Sequence, residues 1–365
     1  MMTAGRRVLI MAGGTGGHVI PALSLANALR QRGVAVEWLG SPRGIENQLV
    51  PAAGIVLHQL KISGLRGNGL VGWLKAPINV FRAVGEAWRI ICHFKPNVVV
   101  GLGGFASGPG GIAAWLTRTP LVIHEQNAVA GLTNRVLSYL AKQTYAAFPQ
   151  AFGARAEVIG NPVRDDIAAL GEHPRQAEEM RDRKLRLLVV GGSLGAVALN
   201  ECLAPALARL DADIRPEVWH QAGKNREETA RARYAEYAVD AQVSAFIDDM
   251  AAAYQWADLV VCRSGALTVA ELAAAAKPAL FVPFPHAVDD HQAVNAQALV
   301  RESAAVCVVQ SELTQERLLS ELKQLLSPEV LAGKAANARR AAYLDATQRL
   351  MEGCLMLADK EHKRD

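Results

Sequence analysis

His18 closes the run Gly13-Gly14-Thr15-Gly16-Gly17. Glycines let backbone N–H groups approach an oxygen-rich ligand closely, and an imidazole titrates near neutrality. Such a loop can hold a phosphate or a sugar while its histidine accepts a hydroxyl proton. The run lacks the G-x-G-x-x-G spacing of a dinucleotide fingerprint and the Gly-Lys-Ser/Thr of a P-loop, which argues against NAD and against ATP hydrolysis. Without a ligand it would be only a tight strand-to-helix turn with a histidine as cap. A second polar group, His124-Glu125-Gln126-Asn127, follows the apolar run Leu121-Val122-Ile123. Its donors and acceptors suit sugar hydroxyls, where a solvated turn would favour Gly, Pro and Ser. A further glycine loop, Gly101 to Gly111, lies between the two groups in sequence.

The second half of the chain repeats the pattern. Leu185 to Val190 runs into Gly191-Gly192-Ser193-Leu194-Gly195-Ala196, as Arg7 to Ala12 runs into the first glycine loop. Asp258 to Cys262 predicts a strand, Arg263-Ser264-Gly265 a turn, and Ala266 to Ala276 a helix whose N-terminus faces a phosphate. Glu271 lies one or two turns into that helix, where a carboxylate accepts from ribose hydroxyls or is simply solvated. Phe284 to Gln292 gathers polar groups after the strand Ala279 to Val282. Asp289-Asp290-His291 has no further ligand at metal spacing, so sugar contact is the reading there, and neither a metal nor a cofactor is expected. Asp211-Ala212-Asp213 falls in a helix-to-strand connection and reads as a surface loop.

These groups need a scaffold of strands feeding glycine turns and helices. Helical patterns follow at Pro21 to Arg32 and Ala198 to Leu210, with further apolar runs near 97–102, 120–123, 216–219, 258–262 and 279–283. Strands alternating with helices imply an α/β chain with a parallel sheet in each half. Gly160-Asn161-Pro162 and the charged stretch Gly171 to Lys184 place the boundary near 161–165, giving domains 1–161 and 162–341. Ala335 to Ala358 predicts a helix or two, and the segment 342–360 is expected to return to the first domain. Ligands of open α/β sheets sit beyond the carboxyl ends of the strands, so a ligand bridging two such domains would meet glycine loops of both.

The 365 residues are 51% hydrophobic and 20% charged, which excludes disorder, collagen and coiled coil. The 39 basic and 35 acidic residues leave only +4, too weak a field to argue for nucleic acid. The 5 cysteines are scattered, with no C-x-x-C pair, so neither a disulfide framework nor a zinc site is suggested. Arg6-Arg7 precede only Val8 to Ala12, which is not the apolar region of a signal peptide, and the uncharged stretch Pro96 to Thr117 is broken by glycines and Pro109. From Ile78 to Phe94, Val80, Val84, Ala87, Ile91 and Phe94 form one apolar stripe, and Ile78, Phe81 and Trp88 form another bordered by Lys75, Arg82 and Arg89. One core needs one stripe. The second, with Leu65 to Leu74 before it, describes either a helix buried on two sides or a surface that meets anionic lipid.

Taken together, the motifs Gly13 to His18, His124 to Asn127, Gly160 to Arg164, Gly191 to Ala196, Phe246 to Met250 and Cys262 to Thr268 resemble the MurG family of bacterial peptidoglycan N-acetylglucosaminyltransferases, in order along essentially the whole chain. The resemblance implies a GT-B fold of two Rossmann-like domains, the first meeting acceptor and membrane, the second binding UDP-GlcNAc. It implies inverting transfer of N-acetylglucosamine from UDP-GlcNAc to the C4 hydroxyl of the muramyl sugar of lipid I, giving lipid II, without a metal. Carried over, Ile247 meets uracil through its backbone, Glu271 the ribose, and Ala266, Leu267 and Thr268 the diphosphate at the start of their helix, with Ser193 adding a hydroxyl and Val269 and Ala270 following as further substrate-binding residues. Asn127, Arg164 and Gln292 hold the sugar or its neighbouring phosphate, and Thr15, Gly16 and Gly17 line the site from the first domain. His18 is the candidate base, with Glu125 as an alternative or as a group polarising His18. A lipid-linked acceptor places the protein peripherally on the cytoplasmic face of the inner membrane, where partners in wall synthesis are expected. The glycine loops alone also fit a UDP-sugar enzyme with another acceptor, a UDP-GlcNAc epimerase, or a sensor that binds nucleotide sugar without chemistry.

Overall fold

The structure, a computed structural model, describes residues 5–61, 70–192, 195–285 and 290–362. It divides into two compact units, Met1–Val163 with Leu344–Asp365, and Arg164–Tyr343.

In the first unit, β1 (Arg7–Met11), β2 (Ala35–Gly40), β3 (Val56–Gln59), β4 (Val98–Gly101), β5 (Leu121–Glu125), β6 (Gln143–Ala146) and β7 (Glu157–Val158) form one sheet in the order β3-β2-β1-β4-β5-β6-β7. Every ladder is parallel; Val8 of β1, for example, lies opposite Val36 on one side and Val98 on the other. A sheet covered on both faces demands continuous apolar strands, and Val8 to Met11 are fully buried. Alternation then divides them between two cores. Val8 and Ile10 pack with Val19, Leu25 and Leu29 of the helix Gly16–Gln31 and with Leu350, Met351 and Cys354 of the final helix, Ala346–His362. Leu9 and Met11 pack with Ala87, Ile91 and Phe94 of the helix Leu70–Phe94 and with Ala113 and Ala114 of the helix Ser107–Leu116.

The helix after β1 begins at Gly16, earlier than the apolar pattern from Pro21 indicates, because glycines carry no helix signal of their own. Where Ala335 to Ala358 predicts a helix or two, there are two, Pro328–Arg340 and Ala346–His362, the first beginning earlier than the pattern indicates. Arg6 grips Asp359 of the last one through Nε and Nη2 at 2.7 and 2.8 Å.

In the second unit, β8 (Arg186–Val190), β9 (Glu217–Gln221), β10 (Gln242–Ser244), β11 (Leu259–Cys262), β12 (Ala279–Phe281) and β13 (Ala305–Cys307) form a second parallel sheet in the order β10-β9-β8-β11-β12-β13. Both sheets reverse direction of strand order at the same place: between β1 and β4 in the first, between β8 and β11 in the second. Loops leaving those strand ends diverge to opposite faces and open a crevice there, so each glycine-rich turn stands where a ligand can approach backbone.

Candidate functional site

In the first unit the carboxyl ends of β1, β4 and β5 bring three sequence-distant groups together. His18 is half-buried in the first turn of the helix Gly16–Gln31, with exposed Thr15 as N-cap making no side-chain cap bond and Gly16 and Gly17 as the first helical residues. The loop after β4 leans directly on it. Gly103, at φ +103°, would place a Cβ 2.7 Å from His18 Nδ1, and Gly104, at φ +89°, would place one 2.5 Å from the carbonyl oxygen of Gly13. Glycine is required at both positions, by conformation and by space. On its other side the first glycine loop is tied to Glu46, a fully buried carboxylate that accepts from Gly14 N at 2.9 Å, from Ser41 N at 3.0 Å and from Ser41 Oγ at 2.8 Å.

The end of β5 supplies the third group. Successive side chains of a strand point to opposite faces, so His124 and Gln126 turn one way and Glu125 the other. The atom that meets His18 Nδ1 is Gln126 Oε1, at 2.9 Å. Glu125 is buried and its oxygens accept from Asn127 N, Gly131 N and Asn134 Nδ2 at 3.0, 3.2 and 2.9 Å, which ties down the loop 127–134. The side chain that meets His18 Nδ1 directly is therefore Gln126, and the Glu125 oxygens serve the loop 127–134. Behind Gln126 lies His124, fully buried, with Nδ1 3.1 Å from Gln126 Nε2 and Nε2 2.9 Å from the carbonyl oxygen of Gly160. Asn161 donates to the carbonyl of Gln126 at 3.1 Å, so the Gly-Asn-Pro turn, which reads as punctuation in the sequence, buttresses the polar run.

In the second unit the helix Ala266–Ala274 follows β11, with Gly265 as an N-cap that offers no side-chain bond. Its early N–H groups are thus presented to an anion. Val269 donates its N–H to Gly265 O at 2.9 Å and buries its side chain, and Ala270 lies a further residue into the helix. Glu271 is buried rather than solvated: it accepts from Tyr254 Oη at 3.1 Å and has Arg164 Nη2 at 3.8 Å. Burial, the largest influence, pushes its carboxyl up to about 7 against the opposing pull of Arg164 and Tyr254. Arg164, half-buried at the start of the helix Asp165–Leu170, is 3.8 Å from Glu271 and 4.0 Å from Asp166, longer than charge-assisted hydrogen bonds, and so retains donors for a ligand anion. Gln292, in the helix His291–Val300, accepts from Phe284 N at 2.9 Å through Oε1, and its main-chain oxygen accepts from Ser264 Oγ at 2.8 Å. Ile247 is buried beside exposed Phe246.

On the helix Leu70–Phe94 the buried stripe is Ala83, Ala87, Ile91 and Phe94, while Val80 and Val84 are only half-buried. Ile78, Phe81 and Trp88 are 57%, 83% and 43% exposed, and Arg82 and Arg89 are exposed beside them, so the second stripe is surface. Ser193 and the segment 62–69 lie outside the described residues, as does the side chain of Lys75. Among the described residues no helix is long and apolar enough to cross a membrane.

Gln126, Glu46 and Tyr254 are the positions sequence reading did not single out as individual contributors. Gln126 stood inside a motif already noted; Glu46 and Tyr254 carried no local signal, since each acts through a residue far away in the chain.

The glycosyltransferase family 28 N-terminal domain matches residues 8–146, and the family's C-terminal domain matches residues 186–350. The chain is 66% identical over 350 residues, 96% of each chain, to a UDP-N-acetylglucosamine–N-acetylmuramyl-(pentapeptide) pyrophosphoryl-undecaprenol N-acetylglucosamine transferase of Chromohalobacter salexigens. A protein of the same description from Stutzerimonas stutzeri is 53% identical over 354 residues, 96% of this chain and 98% of that one. The crystal structure of Acinetobacter baumannii MurG superposes with a TM-score of 0.83 at 42% identity, covering 96% of this chain and 100% of that one. With both domains matched in order and the fold shared along the chain, the protein belongs to glycosyltransferase family 28 and, within it, to the MurG transferases.

Proposed function

We propose that this chain transfers N-acetylglucosamine from UDP-GlcNAc to the C4 hydroxyl of the muramyl sugar of lipid I, the undecaprenyl-diphosphate-linked muramyl pentapeptide, giving lipid II with inversion at the anomeric carbon. The observation that carries the chemistry is His18: an imidazole in the first turn of a helix, pressed against a glycine loop, with one ring nitrogen held by Gln126. A single displacement needs a base for the attacking hydroxyl and stabilisation of charge on the departing UDP. His18 takes the proton. As the hydroxyl oxygen bonds to the anomeric carbon, the bond to UDP breaks and its electron pair leaves on the diphosphate.

The donor belongs to the second unit. The early amides of the helix Ala266–Ala274, at Ala266, Leu267 and Thr268, meet the diphosphate, with Arg164 beside Glu271 adding positive charge. Glu271 receives the ribose hydroxyls and Ile247 the base. Gln292, whose Oε1 is already occupied, offers its amide N–H to the sugar. In the first unit Thr15, Gly16 and Gly17 receive the acceptor side, Asn127 contacts the transferred sugar, and Glu125 holds the loop that carries Asn127. The exposed stripe Ile78, Phe81 and Trp88 with Arg82 and Arg89 rests on the anionic cytoplasmic leaflet, where the polyprenyl acceptor resides.

Coupled release of UDP from UDP-GlcNAc, with and without a short-chain lipid I analogue and in the presence of chelator, tests this reading. Release that requires the analogue and survives chelation is expected. Release without acceptor, or an isomerised donor with no transfer product by mass spectrometry, would overturn it.

A further inference from the structure

We infer that Gln126 is a positioning residue that locks His18 in its Nδ1–H tautomer, with the register set from the main-chain carbonyl of Gly160 through His124. The inference rests on His18 being the base and deepens that assignment to a particular ring nitrogen, Nε2.

The argument starts at an atom with only one possible role. The carbonyl oxygen of Gly160 can only accept, so His124 Nε2, 2.9 Å away, carries a hydrogen and donates it. His124 is fully buried, and desolvation, the larger influence, lowers its pKa to about 4 despite that bond. Its ring is therefore neutral in the physiological range, and with the hydrogen on Nε2 its Nδ1 is a bare lone pair. The atom opposite that lone pair, 3.1 Å away, must donate, and so must the atom 3.2 Å from the carbonyl oxygen of His124 itself. One atom fills both places, the amide nitrogen of Gln126. The orientation of the Gln126 amide is thus decided twice over by its neighbours; the reversed orientation would set its oxygen against two acceptors. Gln126 Oε1 is then the atom 2.9 Å from His18 Nδ1. An amide oxygen only accepts, so His18 Nδ1 carries the hydrogen. In the neutral ring the remaining lone pair lies on Nε2, and that is the atom left to take the proton of the acceptor hydroxyl.

The relay is built to be rigid. His124 and Gln126 are buried, Gln126 is further held by Asn161 donating to its main-chain oxygen, and there is no room for a side chain at Gly103 beside His18 Nδ1. A tautomer fixed before the acceptor arrives spares the enzyme the fraction of molecules in which Nε2 would carry a hydrogen and face the hydroxyl as a donor. Gln126 itself is 1% exposed and acts only through His18.

The test combines a direct reading of the ring with kinetics. Nitrogen-15 NMR of the histidine-labelled full chain, with His18→Gln used to assign the signal, should show neutral His18 with Nδ1 protonated and Nε2 unprotonated. Gln126→Met, close in length and shape but able neither to donate nor to accept as an amide does, should lower kcat roughly 10- to 100-fold, part of the 10²–10⁴-fold that a positioned base contributes. KM for UDP-GlcNAc should stay within about twofold, a split that a general loss of folded protein would not produce. A wild-type His18 with the hydrogen on Nε2 would overturn the inference, and that measurement does not depend on any variant at position 126 folding. Unchanged kcat in Gln126→Met alongside a collapsed kcat in His18→Ala would also overturn it while leaving His18 as base. Undiminished kcat in His18→Ala would instead remove the base assignment, and the relay with it.

Discussion

At the scale of single residues, the site depends on polar groups that the fold has taken out of water. Glu271 is the clearest case in the second unit. Its carboxyl holds a proton up to about 7 in the folded protein against an ordinary value of 4.5. Between those values the folded state binds the proton more tightly than the unfolded chain, so this contribution to stability is complete below about pH 4.5 and is lost as pH rises through about 7. The span corresponds to roughly 3 kcal/mol. Glu271→Gln stays neutral across the range and keeps an acceptor for Tyr254. Urea unfolding of the two proteins should therefore show the glutamine variant gaining on the wild type from pH 5 to pH 8, and a difference that does not change with pH would show that the folded carboxyl ionises without cost. The same variant should raise KM for UDP-GlcNAc, because an amide oxygen accepts from the ribose hydroxyls less strongly than a carboxylate, and an unchanged KM would remove Glu271 from the ribose contact.

At the scale of elements, each functional group is placed by how a strand ends and a helix begins. The loops after β1 and β4 can touch because Gly103 and Gly104 have no side chains; a methyl at either position would meet His18 or the backbone of Gly13. The helix Leu70–Phe94 shows the other consequence of periodicity. Its small residues Ala83 and Ala87 are buried on the side that packs closely with the helix Ser107–Leu116, and the larger Phe81 and Trp88 are turned outward. Replacing both with aspartate exchanges apolar contact for negative charge on a face that touches no core, so binding to vesicles containing anionic lipid should fall at least tenfold while the melting temperature changes little. Vesicle binding equal to that of the wild type, measured by sedimentation, would remove this face from the membrane contact.

For the molecule as a whole, the two units are not two consecutive pieces of chain, because the last helix belongs to the first unit. Leu350, Met351, Cys354 and Ala358 complete the core that Val8 and Ile10 begin, and Gly353 leaves room for Tyr145, whose hydroxyl a Cβ there would overlap. Leu350→Ala should cost about 2–5 kcal/mol, a large part of the stability of a typical domain, and should be seen as a lower melting temperature of the first unit. An unchanged melt would mean that the helix is an accessory to that core rather than a part of it.

Much of this protein was legible in its residues alone. The apolar runs at Val8 to Met11, Leu121 to Ile123 and Leu259 to Cys262, each followed by glycine or by polar residues, specify strands that end at a site, since burial on both faces of a parallel sheet admits few polar side chains. The motif set identified the family, and His18 stood out by its place at the end of a glycine loop, whereas the spacing of Glu271 fits a solvated helix residue as well as a ligand contact. Other assignments depended on pairs of residues that only folding brings together. No spacing along the chain predicts that Gly160 sets the tautomer of His124, that Gln126 rather than Glu125 reaches His18, that Glu46 braces the first glycine loop, or that Tyr254 buries Glu271. Local sequence determines where a strand lies and what its ends carry; hydrogen bonds and desolvation are decided by neighbours in space, and those belong to the tertiary structure.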